Sequence, residues 1–226
     1  MNELLEKKGS CAMKARTVLL VVVILAIGMV LSTECAATQL LTKDEALAQM
    51  FPDAESIVSE THLMTMDEVA RVRARLGGQL VHYQKGSKSE KVEENLEYEF
   101  YYSIVNGEKT GVAIIESQPG KWGPVEFCIA IDTKTAKVTN LAVMSYKERR
   151  GRPIARNNFL NQFVDKGSDD PIKVRKDIRA ISGATISSDC TCFAVRKAII
   201  LYEELFFNSG ATETLSSKVP NTEAID

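Results

Sequence analysis

Tyr98-Glu99-Phe100-Tyr101-Tyr102-Ser103-Ile104-Val105, followed at once by Asn106-Gly107, decides the fold class. Aromatic and β-branched residues dominate the run, and Asn-Gly is a strong short-range signal for a two-residue hairpin turn. Thr110 to Glu116 supplies the returning strand. Val125 to Ile131 and Val138 to Tyr146 form a second apolar pair around Asp132 to Lys137, so four consecutive strands in one antiparallel sheet are expected. Helical patterns lie before and after them. The expected fold class is therefore α+β, an antiparallel sheet of at least four strands flanked by helices.

Upstream, Thr42-Lys43-Asp44-Glu45 has capping-box form and opens a short helix through Met50 that stops before Pro52. Ser56 to Ser59 reads as a short strand. Thr65-Met66-Asp67-Glu68 repeats the capping box and leads into Val69, Val72 and Leu76 at helical spacing, closed by Gly77-Gly78. Arg71, Arg73 and Arg75 on that helix read as a solvated face. Gln79 to Gln84 is expected as a strand, and Lys85 to Glu94 as a charged loop.

Val18 to Leu31 is an unbroken apolar run, shorter than the about 20 residues of a comfortable membrane span but suited to the core of a signal peptide. Lys14 and Arg16 precede it, and Cys35-Ala36-Ala37 offers a cleavage site after Ala37. Met13 also makes a well-formed signal start, and an uncleaved signal anchor is the alternative. Either way, residues 38–208 are expected as one domain outside the cytoplasmic membrane, periplasmic or on its extracytoplasmic face. Residues 1–37 would be the leader and residues 209–226, Ser/Thr-rich and polar, a disordered tail.

The formal net charge is −2, so bulk electrostatics names no partner. Cys11 and Cys35 fall in the leader, leaving Cys128, Cys190 and Cys192, an odd number that internal disulfides cannot fully pair. Cys190 and Cys192, two apart on a helix, diverge and make no convincing zinc site; no Cys-x-x-Cys-His haem sequence occurs. These thiols read as packing residues, with no metal expected. Neither His62 nor His82 sits in a catalytic constellation.

After the fourth strand comes Tyr146-Lys147-Glu148-Arg149-Arg150-Gly151-Arg152-Pro153, then Ile154 to Asp165 as an expected helix with Phe159, Leu160 and Phe163 apolar. A loop so basic, with Arg156 just beyond it, suits phosphate, nucleic acid or an acidic partner surface; it equally suits a hairpin end kept soluble by charge.

Further on stands Ile181-Ser182-Gly183-Ala184-Thr185-Ile186-Ser187-Ser188. It precedes a helical face of Val195, Ala198, Ile199, Tyr202, Leu205 and Phe206, with Arg196, Lys197, Glu203 and Glu204 on the other side. Ser187 or Ser188 is the natural N-cap. A helix N-terminus stabilises an anion held before it, Gly183 and Ala184 let a ligand approach the backbone, and Thr185 adds a hydroxyl. An ordinary capped turn also accounts for these residues.

Ser182-Gly183-Ala184-Thr185 followed by Ile186-Ser187-Ser188 resembles the flavinylation motif of the FMN-binding domain family, which includes the G subunit of the Rnf electron-transport complex and the C subunit of the sodium-pumping quinone reductase. Tyr146, Glu148, Gly151, Arg156, Phe159, Gln162 and Phe163 resemble the segment that precedes that motif in exported single-domain members. The resemblance runs from about Phe51 to Phe206 and is strongest from Tyr146 onward. It implies FMN as cofactor, joined to Thr185 through a phosphoester that a separate flavin transferase installs from FAD. It implies Ser182, Gly183, Ala184, Ser187 and Ser188 around that attachment, with Tyr146, Glu148, Arg150, Gly151, Arg152 and Arg156 beside the flavin. There a guanidinium would stabilise negative charge on the reduced ring. One position departs: many members carry an acid six residues before the acceptor, where this chain has Arg179, with Asp177 two residues earlier.

The function so implied is an exported electron carrier, relaying electrons between membrane or haem redox partners such as a membrane complex or a multihaem cytochrome, with no nucleic acid. It would be membrane-associated only if the leader is uncleaved. An FMN-dependent extracytoplasmic reductase of a small substrate and a flavin-free exported binding module are the alternatives.

Overall fold

The computed structural model describes residues 37–147 and 152–208, with only the backbone of Arg152. The leader, Glu148, Arg149, Arg150, Gly151 and the tail lie outside the described residues. Chain order is β1 (Thr38–Gln39), α1 (Lys43–Met50), β2 (Ser56–Leu63), α2 (Met66–Arg75), then β3 (Glu97–Val105), β4 (Glu108–Pro119), β5 (Pro124–Asp132) and β6 (Val138–Tyr146). A broken helical segment follows: a 3-10 turn over Arg152–Ala155, α3 (Asn157–Leu160) and a second 3-10 turn over Asn161–Phe163. The last element is α4 (Thr185–Tyr202), which passes into a π-helical turn over Glu203–Phe207.

The six strands form one antiparallel sheet in the order β1-β6-β5-β4-β3-β2. Asn106 and Gly107, both at positive φ (53° and 76°), make the tight β3–β4 turn expected from Asn-Gly. Alternation sorts side chains to two cores. Val112, Ile114, Phe127, Ile129, Val143 and their neighbours pack with Ala194, Val195, Ala198 and Ile199 of α4. On the opposite face, small residues Ala113, Cys128, Ala130 and Ala142 let Ala46, Leu47 and Met50 of α1 approach closely. With both faces covered, the middle strands read as nearly continuous apolar runs.

Both capping boxes are formed as expected, Thr42 with Glu45 and Thr65 with Glu68. Cys128, Cys190 and Cys192 are buried, and among the described residues they form no disulfide.

Several sequence expectations are corrected. Ser56–Ser59 extends to Leu63, paired residue for residue with β3. Gln79 to Gln84 forms no strand: the Leu80 carbonyl accepts from Gln118 Nε2 (3.0 Å), and the His82 N–H donates to Gln118 Oε1 (3.1 Å). A buried side chain replaces the ladder there. The expected helix from Ile154 to Asp165 is broken: Pro153 sits in a 3-10 turn, and α3 opens at Arg156, which gives no side-chain cap. Arg71 and Arg75 are not a plain solvated face, since they pair with Glu203 and Glu204 at the end of the last helix.

Lys197 is the largest departure from the periodic pattern. Rather than facing water it is 2% exposed, with Nζ 2.8 Å from Oε1 of Glu116, itself buried on β4. Gln118 donates to the same carboxylate (2.7 Å), and the ammonium lies 5.3 Å from the centroid of the Tyr98 ring. Removing one partner of such a pair leaves an uncompensated buried charge, whereas replacing both with apolar residues relieves two desolvation costs. Lys197→Ala is therefore expected to lose about 3–5 kcal/mol of stability. The double variant Lys197→Met with Glu116→Leu is expected near or above the parent. Urea denaturation of the three proteins checks both.

Candidate functional site

The backbone around the small-residue motif is a tight turn set on the start of α4. The Ala184 N–H donates to the Ile181 carbonyl (3.0 Å), and Gly183, third in the turn, has φ +75°. Among the described residues, chain neighbours aside, no atom lies within 4 Å of a Cβ built there, so the requirement for glycine is conformational.

Ser188 holds the turn from beneath. Its buried hydroxyl accepts from the Ile181 N–H (3.1 Å) and donates to the Ala184 carbonyl (3.0 Å). The same carbonyl accepts the Ser188 N–H (2.9 Å), which starts the helical ladder at Ala184. The expectation that Ser187 or Ser188 is the N-cap is thus corrected: α4 begins at Thr185, its cap is Ala184, and no side chain caps it. Ser187 is buried in the first turn, where its carbonyl accepts from the Thr191 hydroxyl (2.9 Å).

Two consequences follow for chemistry. The N–H groups of the first turn have no intrahelical acceptors and carry the positive end of the helix dipole. Thr185, at the first helical position, is exposed. An anion bonded to its hydroxyl would sit in front of those amides.

A cleft of about 900 Å³ opens beside this turn. Ile181 and Ser182 line it together with Pro153, Arg156 and Phe159, so the stretch after β6 and the small-residue motif meet around one space. Gln162 joins them. Its Oε1 accepts from the Arg179 N–H (2.8 Å), and its Nε2 donates to the Phe159 and Arg179 carbonyls (3.2 and 3.4 Å). Ile178 and buried Phe159 give the cleft apolar surface, while Arg156, Arg175, Lys176 and Arg179 give it positive charge.

Not every expected residue gathers there. Tyr146 is buried in the main core at the end of β6, opposite Val125, and does not line the cleft. Glu148, Arg150 and Gly151 lie outside the described residues, and Arg152 contributes backbone to the 3-10 turn that leads to Arg156.

Asp177 lines the same cleft but is spent on architecture. Its carboxylate accepts from the Ile172 and Lys173 N–H groups (3.1 and 2.8 Å) and lies 2.9 Å from Lys166 Nζ. Burial alone would raise its pKa, but the Lys166 ammonium and the two amides outweigh that and hold it below the ordinary aspartate value. The bonds brace a loop in which Ile172, buried, and Arg175 both have positive φ (37° and 66°).

Other residues border the helix start without any sequence signal. A Cβ on Gly86 would lie 3.8 Å from Ile186 Cδ1. The loop around it is tied to the β4–β5 turn by Lys88 N–H to the Lys121 carbonyl (2.7 Å) and Ser87 Oγ to the Gly120 carbonyl (2.6 Å). Trp122 stands in that turn, with the Lys88 and Lys121 ammonium groups 5.1 and 5.5 Å from its ring centroid. These contacts join segments far apart in the chain, and no local periodicity marks them. Burial pushes the Cys128 and Cys192 thiols up to about 12, which suits packing and not nucleophilic or ligand chemistry.

Residues 120–200 match the family model of the FMN-binding domain. The matched span runs from the β4–β5 turn through the cleft and nearly all of α4, and includes Thr185. The match supports FMN as the cofactor of the segment from the β4–β5 turn to α4. Over 107 residues the chain is 29% identical to the G subunit of the proton-translocating ferredoxin:NAD(+) oxidoreductase complex of Clostridium ljungdahlii, an alignment that takes in 44% of this chain. The chain spans 57% of the length of that curated relative. Among solved structures, NqrC from Shewanella oneidensis aligns with a TM-score of 0.48 at 13% identity, over 77% of this chain and 92% of that one. The C subunit of the Na(+)-translocating NADH-quinone reductase from Parabacteroides distasonis aligns with a TM-score of 0.44 at 17% identity, over 73% and 83%.

Since the Asp177 carboxyl is held below its ordinary value, an unfolded loop binds the proton more readily than the folded one. Its contribution to loop stability is present above pH 3.8 and is lost as the pH falls through the lower folded-state value. Amide exchange read by NMR is expected to show Ile172 and Lys173 protected above that window and open below it, with Asp177→Asn open throughout.

Proposed function

We propose that this chain is an exported electron-transfer flavoprotein whose FMN is esterified through its phosphate to Thr185. The observation that carries the reading is the exposed Thr185 hydroxyl at the first position of a helix whose N-terminal amides have no side-chain cap. Such an end favours the single negative charge of a phosphodiester. Ser182, Gly183 and Ala184 form the open turn before it, and Ser187 and Ser188 anchor that turn from the buried side.

The cleft fits the rest of the group. Its apolar surface suits the flavin ring, and Arg156 among its lining residues would stabilise negative charge on a reduced ring. FMN, when bound, supplies the capacity to accept and release electrons singly or in pairs. The protein's part is to hold the phosphate, orient the ring and set the local potential. No general base is needed for such a relay.

An unactivated threonine hydroxyl is a poor nucleophile, which supports attachment by a separate flavin transferase using FAD. In that transfer the Thr185 Oγ–phosphorus bond forms, the bond between the two phosphorus groups of FAD breaks, AMP leaves and the hydroxyl proton is released. Arg179 stands where many family members carry an acid. Its backbone is held by Gln162, so the departure changes the charge at the cleft while leaving the turn supported. The signal-like apolar stretch at residues 18–31 supports location at the extracytoplasmic face of the membrane. A membrane redox complex or a multihaem cytochrome would then be the partner, in keeping with the proton-translocating complex named for its curated relative.

Intact mass tests the central claim. Protein purified from its own host is expected to exceed its polypeptide mass by FMN less one water. Thr185→Ala, which alters an exposed position, is expected to lose that increment and keep its thermal midpoint. A yellow, fluorescent adduct that survives denaturation of Thr185→Ala would reject the assignment.

A further inference from the structure

Positive charge runs from the first cleft into a second one. Arg156, Arg175, Lys176 and Arg179 line the cleft beside Ser182. A second cleft, of about 380 Å³, adjoins it through Lys176, which lines both, and adds Lys173 and Arg196. Among the described residues, none of these six cations forms an ion pair.

The acids lining the two clefts, Asp177 and Asp170, share the Lys166 ammonium and so leave about one negative charge against the six cations. Asp177 lies nearer to it, at 2.9 Å, and Asp170 of the second cleft at 3.7 Å. Arg75, which also reaches the second cleft, is held by Glu203 and Glu204 and adds no unmatched charge. In a chain of formal net charge −2, this is a local concentration of positive charge with the balancing acids elsewhere, the arrangement that steers an anionic partner to one face.

The loop that presents it is held in a conformation that side-chain-bearing residues rarely adopt. Ile172 and Arg175 keep positive φ while Asp177 turns inward to bind the loop's amides. Lys173, Arg175 and Lys176 remain exposed. A phosphodiester and a reduced ring offer about one negative charge each, too few to account for the whole band.

We propose that this band is the docking face for an acidic surface of a partner protein, which it brings to the mouth of the cleft beside Ser182. The proposal rests on the flavin reading for its purpose, close approach to the cofactor, but its charge argument stands on the chain's own residues. A nucleic acid is disfavoured because, among the described residues, a single aromatic ring, Phe159, accompanies these cations, where single-strand binding uses successive stacking rings. An anionic membrane is disfavoured because, among the described residues, none of the large exposed apolar side chains, such as Leu63 and Met66, belongs to the band.

The test titrates the full chain, carrying its flavin, with an acidic c-type cytochrome as probe and a basic one as control, by calorimetry. The acidic cytochrome is expected to bind, with affinity falling at least about tenfold between about 20 and 200 mM salt, and the basic one not to bind. Lys173→Glu with Arg196→Glu, both in the second cleft only, is expected to weaken binding by about tenfold or more at low salt, at unchanged flavin content and thermal midpoint; Lys173→Gln with Arg196→Gln should fall between. Salt-independent binding, or binding unchanged by the charge reversal, overturns the proposal. So does tighter binding to single-stranded DNA or to phosphatidylglycerol vesicles than to the cytochrome. Repeating the titration with Thr185→Ala separates the two readings. Binding retained by a parent that proves to carry no covalent flavin supports the docking face while the flavin assignment falls, and a flavin-bearing parent that binds no acidic cytochrome removes the docking face alone.

Discussion

The packing of α4 on the inner face of the sheet is the constraint from which the rest follows. Most of the helix is buried, from Ser187 and Ser188 in its first turn to Tyr202 in its last, against strands contributed by β3 to β6. A helix held along its length cannot shift by a residue without moving its whole apolar surface. Its N-terminus, and the Thr185 hydroxyl at that end, are therefore placed by a core that lies mostly elsewhere. The Lys197–Glu116 pair adds a polar register mark about 18 Å along the helix from Thr185, where a slip would strand a buried charge.

Around that fixed end the structure is assembled from two segments with little regular structure of their own. The 3-10 and α3 turns after β6 would have no fixed relation to the Ile181–Ala184 turn without Gln162, which bonds both the N–H and the carbonyl of Arg179. Asp177 does the same for the loop between them, matching backbone amides that no ladder reaches. Single side chains thus stand in for missing secondary structure beside the cleft, as Gln118 does for the stretch at Leu80 to His82. The site is open because its backbone partners come from beneath, leaving the outward side to a ligand.

Charge follows the same division. Cations on α2 are paired with the acidic end of the last helix, where they clamp two elements together. The cations of the 173–179 loop are not so matched, since the acid among them points inward. Near-neutral composition conceals this: a net charge of −2 holds both a tightly paired surface and a concentrated positive one.

Those parts of the molecule that depend on neighbours in the chain were legible without coordinates. The Asn106-Gly107 turn, the two strand pairs and both capping boxes rest on spacings of two to four residues, and they form where the sequence places them. The motif ending in Thr185 was legible as residue types in order. Only the tertiary structure decided that α4 starts at Thr185 with Ser188 as an internal brace, that Lys197 is buried, that the helix expected from Ile154 is broken, and that Arg156 and Ser182 face one cleft. The burial of Lys197 and the shared cleft turn on partners from distant segments, and local periodicity carries no information about a partner that only folding brings near. The broken helix and the start of α4 turn on backbone geometry at Pro153 and at the Ile181–Ala184 turn, to which apolar spacing is equally blind.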